Sequence, residues 1–226
     1  MLGKSTPIDT SLEFMRSVDG GSPERLRFRV NAVSCLRKGR RSITITLRSI
    51  PTTPPTYQTL GVEDEIIEAC LKSSQGICLV AGATGHGKST LLASILRGLL
   101  EVNEGAENLV TIEHPIEFVY DDVNKGSALV TQMEVGRDIA SFSKGVENAL
   151  RMAPTTILIG ESRDQETITK TIEAGNTGHL AYSTLHANSV SASIARMVSA
   201  CDVEIQNKIK VDLIDALKLI VAQRLL

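Results

Sequence analysis

Two runs of residues near the start of the chain alternate between apolar and polar side chains. Residues 26–33 and 42–47 show this period of two, and the basic turn between them predicts a β-hairpin. Because a lone hairpin is marginally stable in water, we expect these strands to belong to a larger sheet whose earlier part is absent from the chain. Residues 1–24 are polar and rich in Gly, Ser and Asp, which predicts a poorly ordered start.

Apolar runs of helix and strand length alternate in the rest of the chain. The predicted elements are helix 62–73, strand 77–81, helix 89–101, strands 109–113 and 128–132, helix 141–152, strand 156–159, helix 164–174, strand 180–183 and helix 189–200. Helical spacing of apolar residues also predicts a last helix over residues 205–226, which stops without a capping signal. The alternation is typical of an α/β protein with a mostly parallel sheet covered on both faces.

The stretch of residues 50–56 separates these two parts. It contains three prolines, which lack a backbone donor and favour extended geometry, so we interpret it as an interdomain linker. The expected organisation is part of a smaller α+β N-terminal domain over residues 1–49, the linker, and an α/β domain over residues 57–226 that is cut short at its C-terminal end.

Composition excludes several classes of protein. The 24 basic and 26 acidic residues give no broad field for nucleic acid or an anionic membrane, so we expect no direct nucleic-acid binding. Four scattered cysteines lack the spacing of a zinc site or a disulfide framework, which favours reduced thiols and a cytoplasmic protein. No uncharged apolar run reaches the ~20 residues that a membrane helix requires, so any work at a membrane is expected from its side.

The clearest candidate site is the run Gly-Ala-Thr-Gly-His-Gly-Lys-Ser-Thr at residues 82–90, hereafter the phosphate loop. It follows an apolar strand and opens a helix, which is the setting of a phosphate-binding loop in a P-loop NTPase of RecA-like fold. Its glycines bring backbone N–H groups close to the phosphates of ATP, and the helix N-terminus adds partial positive charge. A glycine-rich turn with an exposed lysine is the structural alternative. The expected nucleotide ligands are Gly82, Ala83, Thr84, Gly85, His86, Gly87, Lys88, Ser89 and Thr90.

Two residues of this loop have more specific expected roles. Lys88 is expected to reach the β and γ phosphates, and the Ser89 hydroxyl to ligate Mg²⁺. His86 is interpreted as a neutral loop residue, since side chains inside such loops usually point outward.

Two carboxylates end apolar strands further along the chain. Glu161 lies at the sheet edge where ligands bind in open parallel sheets. Gly160 occupies the position of the usual Walker B aspartate, so Glu161 either holds Mg²⁺ through water or polarises the attacking water. Glu113 is a second candidate for positioning water, with an ordinary strand-end residue as the alternative.

Two histidines flank the predicted strand 180–183. His179 and His186 are seven residues apart, so strand alternation puts them on opposite faces and disfavours a shared metal site. We expect them to bind phosphate oxygens or to link the site to a neighbouring subunit. A structural role in the core is the alternative.

The order and spacing of these blocks resemble the secretion ATPase superfamily, which includes type IV pilus motors, type II secretion motors and type IV secretion traffic ATPases. The matching blocks are the phosphate loop, residues 111–118, the Gly160–Glu161 pair with the residues after it, and residues 177–186. Residues 27–32 and 47–55 look most like Dot-type secretion ATPases and conjugative transfer ATPases. The resemblance implies a homohexamer that uses ATP and Mg²⁺ and acts with secretion or conjugation proteins at the cytoplasmic face of the inner membrane.

The resemblance also implies roles for arginines. Arg29 and Arg48, and less clearly Arg27, match arginines of the N-terminal domain that reach the nucleotide phosphates when the two domains close. An arginine so placed offsets charge that develops on the γ phosphate. An exposed basic face of the hairpin is the alternative. Arg137 and Arg151 match positions near the subunit interface, where either acts in trans.

We therefore predict an ATP-hydrolysing hexameric motor of type IV secretion, conjugative plasmid transfer or pilus dynamics. The alternative is an ATP-binding regulatory or assembly module with little turnover, which is favoured by Gly160 and by His114 at a common aspartate position of the family. A small-molecule kinase fits less well because no lid or acceptor site is recognisable. The predicted metal ligands are Ser89 and Glu161. The predicted catalytic residues are Lys88, Glu113, Glu161, His179 and His186.

Overall fold

The computed structural model describes residues 7–18, 20–21, 23–102 and 106–225. The first part of the chain is a three-stranded antiparallel sheet, hereafter the N-terminal sheet. Its strands are β1 (Ile8–Arg16), β2 (Glu24–Arg37) and β3 (Arg40–Ile50), paired in chain order.

The structure corrects the expected poorly ordered start. Strand β1 pairs with β2 along its whole length, from Ile8 opposite Ala32 to Arg16 opposite Glu24. The apolar residues of β1 recur at alternate positions and meet apolar residues of β2, as when Phe14 stacks on Phe28 with ring centroids 5.6 Å apart. The polar composition of the segment hid this period-two pattern. The rest of that prediction, at residues 1–6, 19 and 22, lies outside the described residues.

The second part of the chain is a six-stranded parallel sheet with helices on both faces, as predicted. Its strand order is β6-β5-β7-β8-β4-β9. The elements in chain order are a short 3-10 helix (Tyr57–Thr59), α1 (Asp64–Lys72), β4 (Gly76–Ala81), α2 (Lys88–Val102), β5 (Asn108–Glu113), β6 (Leu129–Glu134), α3 (Phe142–Ala149), β7 (Thr156–Ile159), α4 (Gln165–Asn176), β8 (Leu180–Leu185), α5 (Val190–Ser199), α6 (Gln206–Ala216) and β9 (Leu217–Ala222).

The core lies on both faces of this sheet because its central strands are buried on both sides. Strands β4, β7 and β8 are buried along their whole length. Alternate residues of β4 divide between two clusters: Leu79 packs with Ile112 and the helices α3 to α6, whereas Val80 packs with Leu96 and helices α1 and α2. None of the helices in the described part of the chain combines the length and apolarity needed to cross a membrane.

Three helices begin at residues whose side chains cap them. Ser141, Asp164 and Ser189 accept a hydrogen bond from a backbone N–H of the first turn of α3, α4 and α5. These caps fix where the chain turns after the carboxyl ends of the strands. The positions of the loops around that edge of the sheet follow from them.

The predicted last helix is wrong in its second half. Helix α6 ends at Ala216, and Leu217–Ala222 forms β9, which pairs in parallel with β4. The segment is rich in aliphatic residues, so it satisfies helical spacing and strand propensity equally. The unpaired edge of β4 decides between them, because its backbone groups gain partners only from a strand.

Gly76 at the start of β4 offers a test of this junction. Its φ is +102°, and a Cβ there would lie 2.6 Å from the carbonyl oxygen of Ala216. We expect Gly76→Ala to lower the free energy of unfolding by about 3 kcal/mol, from backbone strain and this overlap together. Urea denaturation measures the change.

Gly61→Ala is the matched control. Gly61 has a φ of +65° with open space around it, so strain alone should cost about 1 kcal/mol. Equal losses in the two variants would contradict the tight junction between α6, β9 and β4.

Candidate functional site

A cleft of about 540 Å³ lies where the carboxyl ends of β4, β5, β7 and β8 meet the N-terminal sheet. Parallel pairing brings these four ends to one edge, so residues distant in sequence share the cleft. Six residues of the phosphate loop line it: Thr84, Gly85, Gly87, Lys88, Ser89 and Thr90. The other three predicted loop ligands, Gly82, Ala83 and His86, are not among its lining residues.

The phosphate loop has the backbone shape that its glycines predict. Gly85 and Gly87 have φ values of +81° and +76°, in the region that favours glycine. Helix α2 begins within the loop, at Lys88, so the first N–H groups of the helix have no partners within it and are available to an anion.

Lys88 is held inside the loop rather than in solvent. Its side chain donates from Nζ to the carbonyl oxygen of Ala83 at 2.9 Å, and the residue is only 7% exposed. Burial lowers the pKa of the ammonium group, and the negative charges of Glu117 and Glu161 oppose that change. The ammonium therefore lies beside a backbone carbonyl and near the charges of two carboxylates, where an anionic ligand would offset the cost of its desolvation.

The residues after β9 pack against the outer side of the phosphate loop. The backbone N–H of Gln223 donates to Ala81 at 2.7 Å, and that of Leu225 donates to Nδ1 of His86 at 3.1 Å. A Cβ on Gly82 would lie 2.6 Å from the carbonyl oxygen of Gln223. His86 is thus bound by the segment after β9 and is not among the residues that line the cleft. Sequence reasoning missed this contact because it placed residues 205–226 in one helix.

Glu113 is a buried carboxylate at the end of β5. Its Oε1 accepts from Thr111 Oγ1 at 2.7 Å and from Gln132 Nε2 at 3.4 Å, and its Oε2 accepts from the backbone N–H of Glu117 at 3.2 Å. Burial raises the pKa of Glu113 to about 7, although the three donors favour the charged form. The group therefore exchanges a proton near neutral pH.

Glu161 also lines the cleft and lies in the loop after β7, the strand that pairs with β5. Its Oε1 forms an ion pair with Nη1 of Arg163 at 3.2 Å, and about a quarter of the side chain is exposed. Gly160 before it packs tightly, since a Cβ there would lie 3.2 Å from the carbonyl oxygen of Ile112. An aspartate at this position would press on β5, which gives a physical reason for the missing Walker B carboxylate.

Two charged residues of the cleft were not singled out from the sequence as site residues. Arg163 and Glu117 both line it, and the charge of Glu117 acts on the pKa of Lys88 and of Arg29. Each follows a selected glutamate by two or four residues. Both residues lie in or next to the sequence blocks that resemble the secretion ATPases. The sequence pattern of those blocks does not indicate which of their side chains face the cleft.

Arg29 and Arg48 reach the cleft from the N-terminal sheet. They are directly opposite each other on β2 and β3, and both line the cleft. Arg29 binds Asp9 through two hydrogen bonds of 3.1 and 2.8 Å, and this pair raises the pKa of Arg29 and lowers that of Asp9. Asp9 belongs to β1, the strand that sequence reasoning did not find.

The other three arginines that the resemblance singled out, Arg27, Arg137 and Arg151, do not line the cleft. Arg27 is buried against the loop after β5 and binds its backbone. The side chains of Arg137 and Arg151 are each 69% exposed, and Arg151 pairs with Glu147 at 3.1 Å. Both are therefore accessible from solvent.

The structure separates the two histidines. His186 follows β8 and lines the cleft, where burial and the charge of Lys88 lower its pKa. His179 precedes β8, its Nδ1 lies 3.2 Å from Thr177 Oγ1, and it is absent from the cleft lining. The six residues of β8 span roughly 20 Å between them. The predicted catalytic role of His179 in this cleft therefore has no geometric support.

No cluster of three or more His, Cys, Asp or Glu side chains that could hold a metal ion occurs among the described residues. The predicted metal ligands Ser89 and Glu161 do line the same cleft. This arrangement suits Mg²⁺, which is usually bound through one or two protein groups, waters and substrate phosphates.

Comparison with known proteins agrees with this geometry. A family model described as "Type II/IV secretion system protein" matches residues 6–226. The "Type IV pilus retractation ATPase PilT" of Pseudomonas aeruginosa is 38% identical over 204 residues, which cover 90% of this chain and 56% of PilT. The crystal structure of the ATPase DotB of Legionella pneumophila superposes with a TM-score of 0.83 at 45% identity, covering 94% of this chain and 56% of DotB.

A second structural comparison includes a nucleotide. The crystal structure of the pilus retraction motor PilT with bound ADP superposes with a TM-score of 0.76 at 35% identity, covering 93% of this chain and 57% of that one. The chain thus spans just over half the length of these relatives, and the predicted α/β fold with a mostly parallel sheet is confirmed. The chain belongs to the type II/IV secretion system protein family.

Proposed function

We propose that the protein hydrolyses ATP and drives a secretion or type IV pilus machine with the energy released. The observation that supports this most strongly is one cleft that unites the phosphate loop, two strand-end glutamates and two arginines of a second sheet. Relatives named as a pilus ATPase and as the ATPase DotB support the same activity. Type IV secretion and conjugative plasmid transfer are the narrower proposals within this class.

The residues of the phosphate loop fit the triphosphate of ATP. The positive φ values of Gly85 and Gly87 and the start of α2 turn backbone donors toward the cleft. With ATP bound, Lys88 would exchange its hydrogen bond to the Ala83 carbonyl for bonds to the β and γ phosphate oxygens, and Ser89 and Glu161 would hold Mg²⁺. When bound, Mg²⁺ neutralises negative charge on the phosphates.

The two glutamates act on the attacking water. Glu161, which pairs with Arg163 at the edge of the cleft, polarises the water. Glu113, whose pKa of about 7 permits proton exchange at neutral pH, orients the water or accepts its proton. His186 contributes a further polar group at the same edge.

Arg29 and Arg48 supply positive charge that offsets charge developing on the γ phosphate. Both arginines come from the N-terminal sheet, so the seating of this sheet on the parallel sheet sets their distance from the nucleotide. The guanidinium of Arg29 donates two hydrogen bonds to Asp9, and this pair fixes the orientation of the arginine at the cleft.

A second candidate function is an ATP-binding regulatory or assembly module with little turnover. It is favoured by Gly160, which stands at the position of the usual Walker B aspartate and where a Cβ would lie 3.2 Å from the carbonyl oxygen of Ile112. Under either function we propose a homohexamer at the cytoplasmic face of the inner membrane. Its partners are proteins of the secretion, conjugation or pilus machinery.

Two substitutions separate binding from hydrolysis. Lys88→Ala should weaken ATP binding and lower phosphate release by about 100-fold, whereas Glu161→Gln should retain binding and lose turnover by a similar factor. Fluorescent-nucleotide titration and steady-state phosphate release measure the two quantities. Lys72→Ala, which removes a surface lysine paired with Glu68, is the control and should change neither. Phosphate release that is negligible in the parent and unaltered in Glu161→Gln would favour the regulatory module.

The pH profile of turnover tests Glu113. Its pKa is raised to about 7, so the carboxylate gains a proton as the pH falls through 7, and turnover should decline there. Glu113→Gln should be slower and should lack this decline, as measured by kcat between pH 5.5 and 8.5. Glu204→Gln, at an exposed carboxylate, should keep the parent profile. A parent profile that is flat across pH 7 would count against a role for the charged form of Glu113.

The mass of the full-length protein in solution tests assembly. We expect a hexamer with ATP and Mg²⁺ present, in which the exposed Arg137 and Arg151 are the candidates to act on an adjacent subunit. Light scattering with and without nucleotide measures the mass. A monomer under every condition would refute the ring.

A further inference from the structure

Arg27 is a buried arginine that the proposed chemistry leaves without a role. It lies on the same face of β2 as Arg29 but does not line the cleft, and only 4% of its side chain is exposed. Its Nη2 donates to the carbonyl oxygen of Ile116 at 2.7 Å, and its Nη1 donates to that of Glu117 at 2.9 Å. The guanidinium therefore donates hydrogen bonds to two successive carbonyls of the loop at residues 114–118, hereafter the acidic loop.

One peptide group of the acidic loop connects Arg27 to Glu113. The carbonyl of Ile116 and the N–H of Glu117 belong to the same planar peptide, and in a trans peptide they point in opposite directions. The carbonyl accepts from Arg27, while the N–H donates to Oε2 of Glu113 at 3.2 Å. Fixing one end of this rigid group fixes the other, and the two hydrogen bonds polarise each other.

Further hydrogen bonds connect the acidic loop and the residue after it to the N-terminal sheet and its following segment. The backbone N–H of Ile116 donates to Oε2 of Glu134 at 3.3 Å, and this oxygen also accepts from Ser11 of the N-terminal sheet at 3.0 Å. The N–H of Val119 donates to the carbonyl of Thr52 at 2.7 Å. The N-terminal sheet and the segment after it thus hold the loop at several points, of which the Arg27 contact acts directly on the peptide that faces Glu113.

We propose that Arg27 is a positioning residue for Glu113, and that it makes the orientation of this carboxylate depend on the seating of the N-terminal sheet. When the sheet is seated, the peptide between Ile116 and Glu117 is locked and Glu113 keeps all three of its donors. When the sheet moves away, Arg27 leaves with it and the peptide is free to rotate. The inference rests on the proposed ATPase function, because it assigns the coupling to a carboxylate of that site.

The test compares Arg27→Lys with Arg25→Lys. Both variants keep a positive charge, but an ammonium group cannot span two carbonyls as a guanidinium fork does. Arg25 is the matched control because it lies on the same strand face and pairs with Glu13 and Asp121, at 3.3 and 3.0 Å, rather than with the acidic loop. The variants are made in the full-length protein.

The expected kinetic result is a loss in the chemical step alone. Arg27→Lys should lower kcat by about tenfold, and Arg25→Lys should not. The dissociation constant for ATP should stay within about twofold in both, since neither arginine lines the cleft. A lower ATP affinity at unchanged kcat would show that Arg27 acts on binding, which overturns the proposal.

The pH profile separates positioning from a general structural role. The groups facing Glu113 are the neutral donors Thr111 and Gln132 and the ionisable Glu117, Tyr120 and Arg27. With the charge at position 27 retained, loss of the Glu117 N–H bond removes support for the charged form of Glu113. The fall in kcat should then move to higher pH by about one unit in Arg27→Lys, and an unmoved profile would overturn the proposal.

Amide hydrogen exchange gives a readout that does not require activity. The amide of Glu117 should exchange about tenfold faster in Arg27→Lys than in the parent or in Arg25→Lys. Unchanged exchange together with unchanged kcat refutes the positioning role. If the parent protein does not hydrolyse ATP but the exchange responds as expected, the proposed function fails while the link between Arg27 and the acidic loop stands. Should Arg27→Lys fail to fold, Arg27→Gln, which can still donate to one carbonyl, takes its place.

Discussion

Parallel pairing of β4, β8, β7 and β5 is the constraint on which the rest of the structure depends. It brings the phosphate loop, His186, Glu161 and Glu113 to one edge of the sheet, although they span more than 100 residues of sequence. The pairing is in turn maintained by central strands that bury their side chains on both faces. The position of every charged group in the cleft therefore depends on apolar packing beneath it.

Burial gives the groups of the cleft their chemical character. Lys88 and Glu113 are both removed from water, which lowers the pKa of the first and raises that of the second. Because the folded-state pKa of Glu113 lies above its ordinary value of 4.5, its stabilising contribution is complete below 4.5 and is lost as the pH rises through about 7. At neutral pH the fold thus bears the cost of a partly charged, buried carboxylate, offset by three hydrogen bonds.

The N-terminal sheet completes the cleft with its polar face. Arg25, Arg27 and Arg29 alternate along β2. Arg25 and Arg27 both pair with Glu13 of β1, and each of the three also has a partner of its own: Asp121 beyond the acidic loop, the carbonyls of that loop, and Asp9 beside the cleft. Through these contacts, the position of the N-terminal sheet affects the groups of the cleft. The opposite face includes exposed apolar side chains such as Leu12 and Ile45.

The sequence by itself determined the α/β class, the phosphate loop and the two strand-end glutamates, because local spacing and loop chemistry specify them. It did not determine strands β1 and β9. In β1 a polar composition masked the alternation, and in β9 aliphatic residues suit helix and strand equally until the edge of β4 is available. Nor could it say that His186 and not His179 lines the cleft, or that Arg27 binds a peptide rather than a phosphate. Those outcomes depend on which side chains the packing of two sheets turns inward, and only the tertiary structure decides that.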